Sequence, residues 1–246
     1  MSQHNSSQSS SCPPETEPYL ASNYTPTGIE QNLRDLPCYT VGSGSKSLIF
    51  GYDVFGFNAG RTRLLCDQFA SAGYSVILPD FFRGDSALKH ENFGFVQQYT
   101  WSKINKDLTQ HIYPYLYSKG SKNIGFIGAC WGAYVLMKAC ASDKIKVGVS
   151  FHPSLKNKPE NIEELAKGIK CPQLILAAGN DPEEVKEGGI VERILKEKEF
   201  GGKVKVKTFE EMKHGWMIRG ALNDKKVARD VKRAMEMSFE SLKADL

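Results

Sequence analysis

The sequence lacks the cysteine and histidine spacing of a metal site or a disulfide framework. Its six cysteines, at positions 12, 38, 66, 130, 140 and 171, form no Cys-x-x-Cys pair and do not cluster with the five histidines. Such scattered cysteines argue against a zinc site and against a set of disulfide bonds. They suit a reducing compartment, in which a reactive thiol stays free. We therefore expect no metal site and a cytoplasmic protein.

Long hydrophobic runs and a large charge of one sign are also absent. No stretch approaches the roughly 20 apolar residues of a membrane-spanning helix. The formal net charge is +4, and the basic residues are mixed with acidic ones along the chain. These features give no support to a nucleic-acid or membrane partner, although the small basic surplus favours an anionic small substrate. The N-terminal stretch has neither an apolar core nor a basic leader, so we expect no signal or transit peptide.

The length and composition are those of an ordinary globular protein. The chain has 246 residues, of which 41% are hydrophobic and 24% charged, which suits one α/β domain or two small ones. Residues 1–18 are rich in Ser, Gln and Pro, a composition typical of a disordered polar tail. We predict that residues 19–246 form a single domain, present as a monomer or a weak homodimer.

Short apolar segments alternate with helical patterns from residue 47 onward, which predicts a mostly parallel sheet with helices on both faces. The predicted strands are Ser47–Tyr52, Tyr74–Leu78, Ile124–Ile127, Val147–Phe151, Gln173–Ala178 and Lys203–Phe209, with an edge strand at Cys38–Val41. The predicted helices include Arg61–Ala72, Ile104–Ser118, Glu183–Glu199 and Asp224–Leu242. Residues Phe81–Trp101 show little periodicity, and we interpret them as a loop that forms a lid or a pocket wall.

The segment Gly128-Ala129-Cys130-Trp131-Gly132 stands between an apolar strand and an apolar helix. It fits the nucleophile-elbow pattern Gly-x-Ser-x-Gly, with a thiol in place of the hydroxyl. The two glycines remove the Cβ atoms that would clash in such a sharp turn, and the start of the helix favours a thiolate. The alternative is that Cys130 is a small core residue, since free cysteine is often buried.

Two further reactive residues follow predicted strands. Asp181 follows the fifth of the strands counted from Ser47 and His214 the sixth, whereas Cys130 follows the third. The order nucleophile, acid, histidine is that of α/β-hydrolase enzymes. We predict that Cys130 attacks an acyl carbon, that His214 is its base and then the acid, and that Asp181 orients the imidazole.

Each residue of this predicted triad has a less specific interpretation. Asp181 precedes Pro and two glutamates and could be a helix N-cap, and His214 could be an exposed loop histidine. His152, in Phe-His-Pro-Ser, also follows a strand, but it precedes Asp181 and so breaks the hydrolase order. We interpret His152 as a pocket or structural residue. The oxyanion hole is predicted from the backbone N–H groups of Trp131 and Val54.

The motifs Gly-Ala-Cys-Trp-Gly, Gly-x-x-Asp-Pro and His-Gly-Trp, with Asp-Val-Phe-Gly and Pro-Asp-Phe-Phe upstream, resemble those of the dienelactone hydrolase family (carboxymethylenebutenolidase-like proteins). The resemblance covers about residues 30–244. Cys-Pro-Pro and Phe-His-Pro-Ser are closer to the eukaryotic branch. The resemblance implies an α/β-hydrolase fold, a Cys-His-Asp triad that opens enol-lactones through an acyl-enzyme, and no metal or organic cofactor.

The resemblance also implies substrate-binding residues. In the bacterial enzymes a glutamate near the first core strand helps to activate the thiol, and Asp53, one methylene shorter, matches it here. Arg83 and Arg219 match the two arginines that bind the substrate carboxylate, although Arg219 is offset by one residue. Trp216 and Phe55 are interpreted as pocket walls or, equally well, as core aromatic residues.

These observations predict a cysteine-dependent hydrolase of small esters or lactones that acts through an acyl-enzyme. A different class also fits the sequence, namely a low-turnover or non-catalytic binding or sensor protein on the same fold. The change from Glu to Asp at position 53 and the N-terminal tail leave this alternative open.

Overall fold

The structure is a computed structural model that describes Pro13, residues 15–155 and residues 161–246. Most of the predicted tail, residues 1–12 and 14, therefore lies outside the described residues. The rest of that predicted tail differs from the expectation, because Thr16 and Glu17 bind to the folded domain through hydrogen bonds to His214 and Arg219.

Eight described strands form one sheet in the order β1-β2-β4-β3-β5-β6-β7-β8. The first two pairings, β1 with β2 and β2 with β4, are antiparallel, and every other pairing is parallel. The strands are β1 (Ile29–Leu33), β2 (Leu36–Val41), β3 (Lys46–Gly51), β4 (Ser75–Pro79), β5 (Asn123–Ala129), β6 (Ile145–Phe151), β7 (Gln173–Ala178) and β8 (Lys205–Phe209).

The helices connect these strands and cover both faces of the sheet. They are α1 (Thr62–Ser71), α2 (Trp101–Asp107), α3 (Tyr113–Ser118), α4 (Trp131–Ala139), α5 (Ile162–Gly168), α6 (Ile190–Lys196), α7 (Trp216–Arg219) and α8 (Lys225–Asp245). Gly125 and Gly128 of β5 indicate which helices lie on the two faces of the sheet, because residues three apart on a strand face opposite sides. A Cβ on Gly125 would meet Leu246 beside α8, whereas one on Gly128 would meet Gly132 of α4. The predicted α/β architecture is confirmed.

The sheet contains one strand, β1, that was not predicted. Cys38–Val41 belongs to β2, but β2 lies inside the sheet and β1 is the edge. The turn between β1 and β2 contains Arg34 at φ 59°, and the segment has no glycine or Asn-Gly pair that would indicate a tight turn. The predicted loop Phe81–Trp101 also contains two short 3₁₀ segments, Ala87–Lys89 and Phe93–Gln98.

Two predicted helices are interrupted. Glu183–Glu199 is not one helix, since only Glu183–Val185 (3₁₀) and Ile190–Lys196 (α) are helical. Gly188 has φ +77°, and Gly189 lies so close to the Glu183 carbonyl that a Cβ would be 2.3 Å away. Between α2 and α3, residues Leu108–Ile112 form a π turn. This turn precedes Pro114, which has no N–H to continue the α-helical ladder.

Candidate active site

Cys130 occupies a sharp turn between β5 and α4. Its backbone has φ 52° and ψ −114°, a conformation that costs energy for any residue with a Cβ and is typical of functional sites. The Cys130 N–H donates to the Phe151 carbonyl at 3.1 Å, and the Cys130 carbonyl accepts from the Ser154 N–H at 3.1 Å. These bonds hold the turn against the end of β6. The residue is 1% exposed.

The glycines on either side of Cys130 are required by contact distances. A Cβ on Gly132 would lie 2.2 Å from the carbonyl oxygen of Gly51 in β3. A Cβ on Gly128 would lie 2.4 Å from the carbonyl oxygen of Gly132. All of these atoms belong to the backbone and cannot move aside as a flexible side chain could. The turn therefore has the geometry of the predicted elbow, with α4 packed directly on the sheet.

Asp181 and His214 form a buried pair beyond β7 and β8. His214 Nδ1 donates to Asp181 Oδ1 at 2.6 Å, and both side chains are fully inaccessible to solvent. The other carboxylate oxygen, Oδ2, accepts from the Ala178 N–H at 2.7 Å. The His214 N–H donates to Asn180 Oδ1 at 2.7 Å. The carboxylate therefore sets the imidazole tautomer, with its proton on Nδ1.

This arrangement excludes two simpler interpretations of the sequence. Asp181 is not the N-cap of the following 3₁₀ segment, because Pro182 holds that position and the carboxylate binds Ala178 and His214 instead. His214 is not an exposed loop histidine, since its relative exposure is 0%. Cys130, Asp181 and His214 all lie beyond the carboxyl ends of parallel strands, which is where open α/β sheets bind ligands.

The two predicted oxyanion-hole residues flank the elbow. Trp131 is the first residue of α4, and Val54 follows β3, whose partner in the sheet is β5. Among the described residues, neither backbone N–H donates to another protein group. The Val54 loop is held by the Ala87 N–H, which donates to the Val54 carbonyl at 2.8 Å. Both N–H groups are therefore available to a bound oxygen.

Asp53 and Arg219 bind each other. Arg219 Nη1 donates to Asp53 Oδ2, and both residues are almost completely buried, at 3% and 0% exposure. Asp53 Oδ1 accepts from the Phe55 N–H at 2.9 Å, and the Arg219 guanidinium lies 4.6 Å from the centre of the Phe55 ring. The two residues expected to act separately on thiol and substrate thus form one ion pair in this structure.

A segment that the sequence placed in the tail completes this region. Residues Glu15–Glu17, here termed the strap, run beside His214. The Thr16 hydroxyl donates to the His214 carbonyl at 2.8 Å and accepts from Arg219 Nη2 at 2.9 Å. The Glu17 N–H donates to the same carbonyl at 2.7 Å. No local pattern predicts these contacts, since they join residues about 200 positions apart.

Arg83 lies apart from this cluster. Its guanidinium donates to both oxygens of Asp107 at 2.9 and 2.8 Å, in a bidentate ion pair. A longer contact of 3.5 Å reaches Asp35. The guanidinium lines a cavity of about 280 Å³ with Tyr99, Lys103, Lys106 and His111. A substrate carboxylate would have to replace Asp107 in order to bind Arg83.

The predicted aromatic residues pack around the site. Trp216 begins α7 and is fully buried against Phe209, with ring centres 4.7 Å apart. The Phe55 ring packs against the Tyr19 ring, with ring centres 5.6 Å apart and the planes tilted by 44°. Trp131 packs on Phe82 at 4.4 Å. Within the described part of the chain, the indole N–H groups of Trp131 and Trp216 have no hydrogen-bond partner.

His152 is the one strand-end histidine that the predicted mechanism did not use. It follows β6 at φ 36° and is fully buried. Its ring centre lies 5.0 Å from that of His214, at an interplanar angle of 70°. Burial, followed by the nearby charges of His214 and Arg219, lowers the pKa of His152 well below its usual value. His152 is therefore neutral at physiological pH.

The described residues 15–155 and 161–246 contain no group of three or more His, Cys, Asp or Glu side chains placed to hold a metal ion. None of the helices described combines the length and apolar character needed to cross a membrane.

The strand order and the three strand-end residues define an α/β-hydrolase fold. The sequence model of the dienelactone hydrolase family matches residues 42–245, and the chain therefore belongs to that family. The family assignment makes it a hydrolase of the dienelactone hydrolase type that acts on a small molecule.

Known relatives agree with this assignment. The chain is 29% identical over 234 residues to Hydrolase tropI of Talaromyces stipitatus, covering 87% of each chain. It is 28% identical over 213 residues to the human carboxymethylenebutenolidase homolog, covering 80% of this chain and 82% of the relative. A candidate dienelactone hydrolase of Klebsiella pneumoniae has the same fold, with a TM-score of 0.67 at 16% identity over 89% of this chain and 99% of that one.

Proposed function

We propose that this protein is a cysteine-dependent hydrolase of small esters or lactones that acts through an acyl-enzyme. The observation that carries the proposal is the buried His214–Asp181 pair, with a hydrogen bond of 2.6 Å, beyond the same edge of the sheet as the strained Cys130 elbow. A thiol at an elbow, an oriented imidazole and two available N–H groups are the parts that acyl transfer needs.

In the first half of the reaction, Cys130 Sγ attacks the acyl carbon and its proton passes to His214. The oxyanion that forms is bound by the N–H groups of Trp131 and Val54. Asp181 stabilises the imidazolium, which then protonates the leaving alcohol or ring oxygen. The C–O bond breaks and a thioester with Cys130 remains.

In the second half, water attacks the thioester and gives a proton to His214. The tetrahedral intermediate uses the same two N–H groups. His214 returns the proton to the departing sulfur, so that the carboxylic acid leaves and the thiol is restored. No redox step or external electrophile is needed.

Thiol activation is assigned to His214 and the start of α4 rather than to Asp53. Both oxygens of the Asp53 carboxylate already accept hydrogen bonds, one from Arg219 and one from the Phe55 N–H, so the carboxylate is held by groups other than the thiol. The N-terminus of α4, a helix of nine residues, stabilises a thiolate through its dipole. Arg83, Trp216 and Arg219 stay candidate substrate-binding residues.

A cytoplasmic location and a monomeric or weakly dimeric state are part of the same proposal. The five cysteines within the described residues are not joined in disulfide bonds, which agrees with a reducing compartment. An anionic substrate would be bound by Arg219, which is buried close to His214 through their shared partner Thr16, in exchange for its partner Asp53.

The test is hydrolysis of a panel of small lactones and p-nitrophenyl esters by the wild type, by Cys130→Ala and by Cys66→Ala as a matched cysteine control. We expect turnover by the wild type and by Cys66→Ala, and none by Cys130→Ala. Mass spectrometry of protein quenched early in p-nitrophenyl acetate hydrolysis should show one acetyl group on Cys130. Full activity of Cys130→Ala would overturn the proposal. Ligand binding without turnover in the wild type would favour the binding or sensor protein.

A further inference from the structure

His152 lies at the centre of the candidate active site. It follows β6, and β6 stands between β5, which leads to Cys130, and β7, which leads to Asp181. The His152 N–H donates to the Leu176 carbonyl of β7 at 2.8 Å. The carbonyl of the preceding residue, Phe151, accepts a hydrogen bond from the Cys130 N–H. The backbone of His152 is thus bonded on both sides to the strands that carry the predicted triad.

The side chain of His152 has no protein partner for its polar atoms. Within the described residues, neither Nδ1 nor Nε2 makes a hydrogen bond, and the side chain is completely buried. A buried polar atom without a partner costs about 1–3 kcal/mol. In native proteins such atoms are usually satisfied by water or by a ligand. A purely structural residue at this position would be expected to be apolar or to bond its neighbours.

The charges around His152 determine what it can bind. His214 faces its ring, and the guanidinium groups of Arg219 and Arg61 also act on it. Because burial, and after it these neighbouring groups, disfavour a second proton, the imidazole is neutral and offers one N–H donor and one lone pair. A hydroxyl group can both accept and donate a hydrogen bond, so it matches either nitrogen. An alkyl group would leave both nitrogens unsatisfied.

We propose that His152 binds a hydroxyl group of the substrate next to the scissile acyl carbon, so that the preferred substrates are hydroxy-esters or hydroxy-lactones. This inference rests on the proposed function of the site. His152 then determines specificity, whereas Cys130, His214 and Asp181 carry the acyl transfer. Sites built to bond a substrate hydroxyl discriminate strongly against the analogue that lacks it, because the protein's polar groups are left unpaired.

The test compares two esters of nearly the same shape, p-nitrophenyl hydroxyacetate and p-nitrophenyl propionate, in which a hydroxyl replaces a methyl group. Each kcat/KM is divided by the rate constant for hydroxide hydrolysis of the same ester. We expect the wild type to prefer the hydroxyacetate by about tenfold or more. His152→Phe should lose most of this preference while it keeps hydrolysing the propionate. Tyr117→Phe, at an exposed position of α3 outside the site, should keep the wild-type preference.

Stability separates this role from a structural one. His152→Phe removes two unsatisfied polar atoms, so at pH 7 its Tm should equal or exceed that of the wild type. A wild type without preference for the hydroxyacetate would overturn the inference, whether or not any variant folds. An unchanged preference in His152→Phe would also overturn it. If either of these results were obtained and Cys130→Ala were inactive, the acyl-enzyme proposal would stand. An active Cys130→Ala would refute the acyl-enzyme proposal alone.

Discussion

The neutral, buried state of His152 predicts a specific loss of stability in acid. Burial and the charges of His214 and Arg219 hold the pKa of this imidazole well below 6.5, whereas in the unfolded chain it returns to about that value. Below pH 6.5 the unfolded state therefore binds a proton that the folded state does not. Stability is fully present above pH 6.5 and falls as the pH decreases toward the lowered pKa of the folded protein.

The magnitude follows from the width of this pH window. Each pH unit below 6.5 costs about 1.36 kcal/mol while the folded histidine stays neutral. At pH 5 the contribution of His152 is thus a loss of about 2 kcal/mol. His152→Phe cannot bind a proton, so this part of the acid sensitivity should be absent from the variant. All other titrating groups are common to both proteins and largely cancel.

The assay is urea unfolding of wild type and His152→Phe at pH 7 and at pH 5. We expect the wild type to lose about 2 kcal/mol more than the variant between the two pH values. His90→Phe serves as the control, because the partly exposed His90 side chain lies within hydrogen-bond distance of Asp85 at 2.9 Å and should not reproduce the effect. An equal pH dependence in wild type and His152→Phe would refute a neutral, buried His152.

Three further predictions concern the elbow, the strap and the cysteines. Gly132→Ala should destabilise the protein by about 3 kcal/mol or more, because the new Cβ would lie 2.2 Å from the Gly51 carbonyl oxygen. Gly202→Ala, whose new Cβ would have no atom within 4 Å, should have little effect. Equal shifts of the urea midpoint in the two variants would contradict the elbow geometry. Thr16→Val should lower kcat for p-nitrophenyl acetate about tenfold, because the hydrogen bond from Arg219 to Thr16, worth about 1.5–3 kcal/mol, is lost beside His214. The control Thr27→Val, whose hydroxyl binds Asp67 instead, should change only Tm. Similar kcat values for both variants would show that the strap is structural. Iodoacetamide at pH 7 should label Cys130 before Cys66, because the start of α4 favours a thiolate at Cys130, whereas burial raises the pKa of the Cys66 thiol. Peptide mapping that finds Cys66 labelled first would rule out an activated Cys130.

Local sequence was sufficient wherever the structure depends on neighbours in the chain. The apolar segments that alternate with helical patterns predicted six strands in a mostly parallel sheet, because burial on both faces requires continuous apolar runs. Gly128 and Gly132 predicted the elbow, since the close packing of α4 on β3 admits no Cβ. Local sequence did not predict elements whose turns lack the usual turn residues. The hairpin from Ile29 to Val41 was missed because Arg34 adopts a positive φ without a glycine.

The substrate-binding region was harder to predict because it depends on distant contacts. Asp53 and Arg219 were both assigned to the site, but their ion pair joins residues 166 positions apart. Arg83 was predicted to bind a substrate carboxylate, yet Asp107 engages it in this structure. The partner of a charged side chain depends on the distances between side chains in the folded protein, and a sequence motif does not specify these distances.

The sequence by itself determined the elbow, the order of Cys130, Asp181 and His214, and the α/β-hydrolase architecture, because each follows from local backbone sterics or from apolar periodicity. Only the tertiary structure decided that Asp181 and His214 share a dry hydrogen bond, that Thr16 reaches His214 and Arg219, and that His152 is buried without a protein partner. These features arise from burial and from contacts between strand ends, which form only when the sheet brings distant segments to one edge.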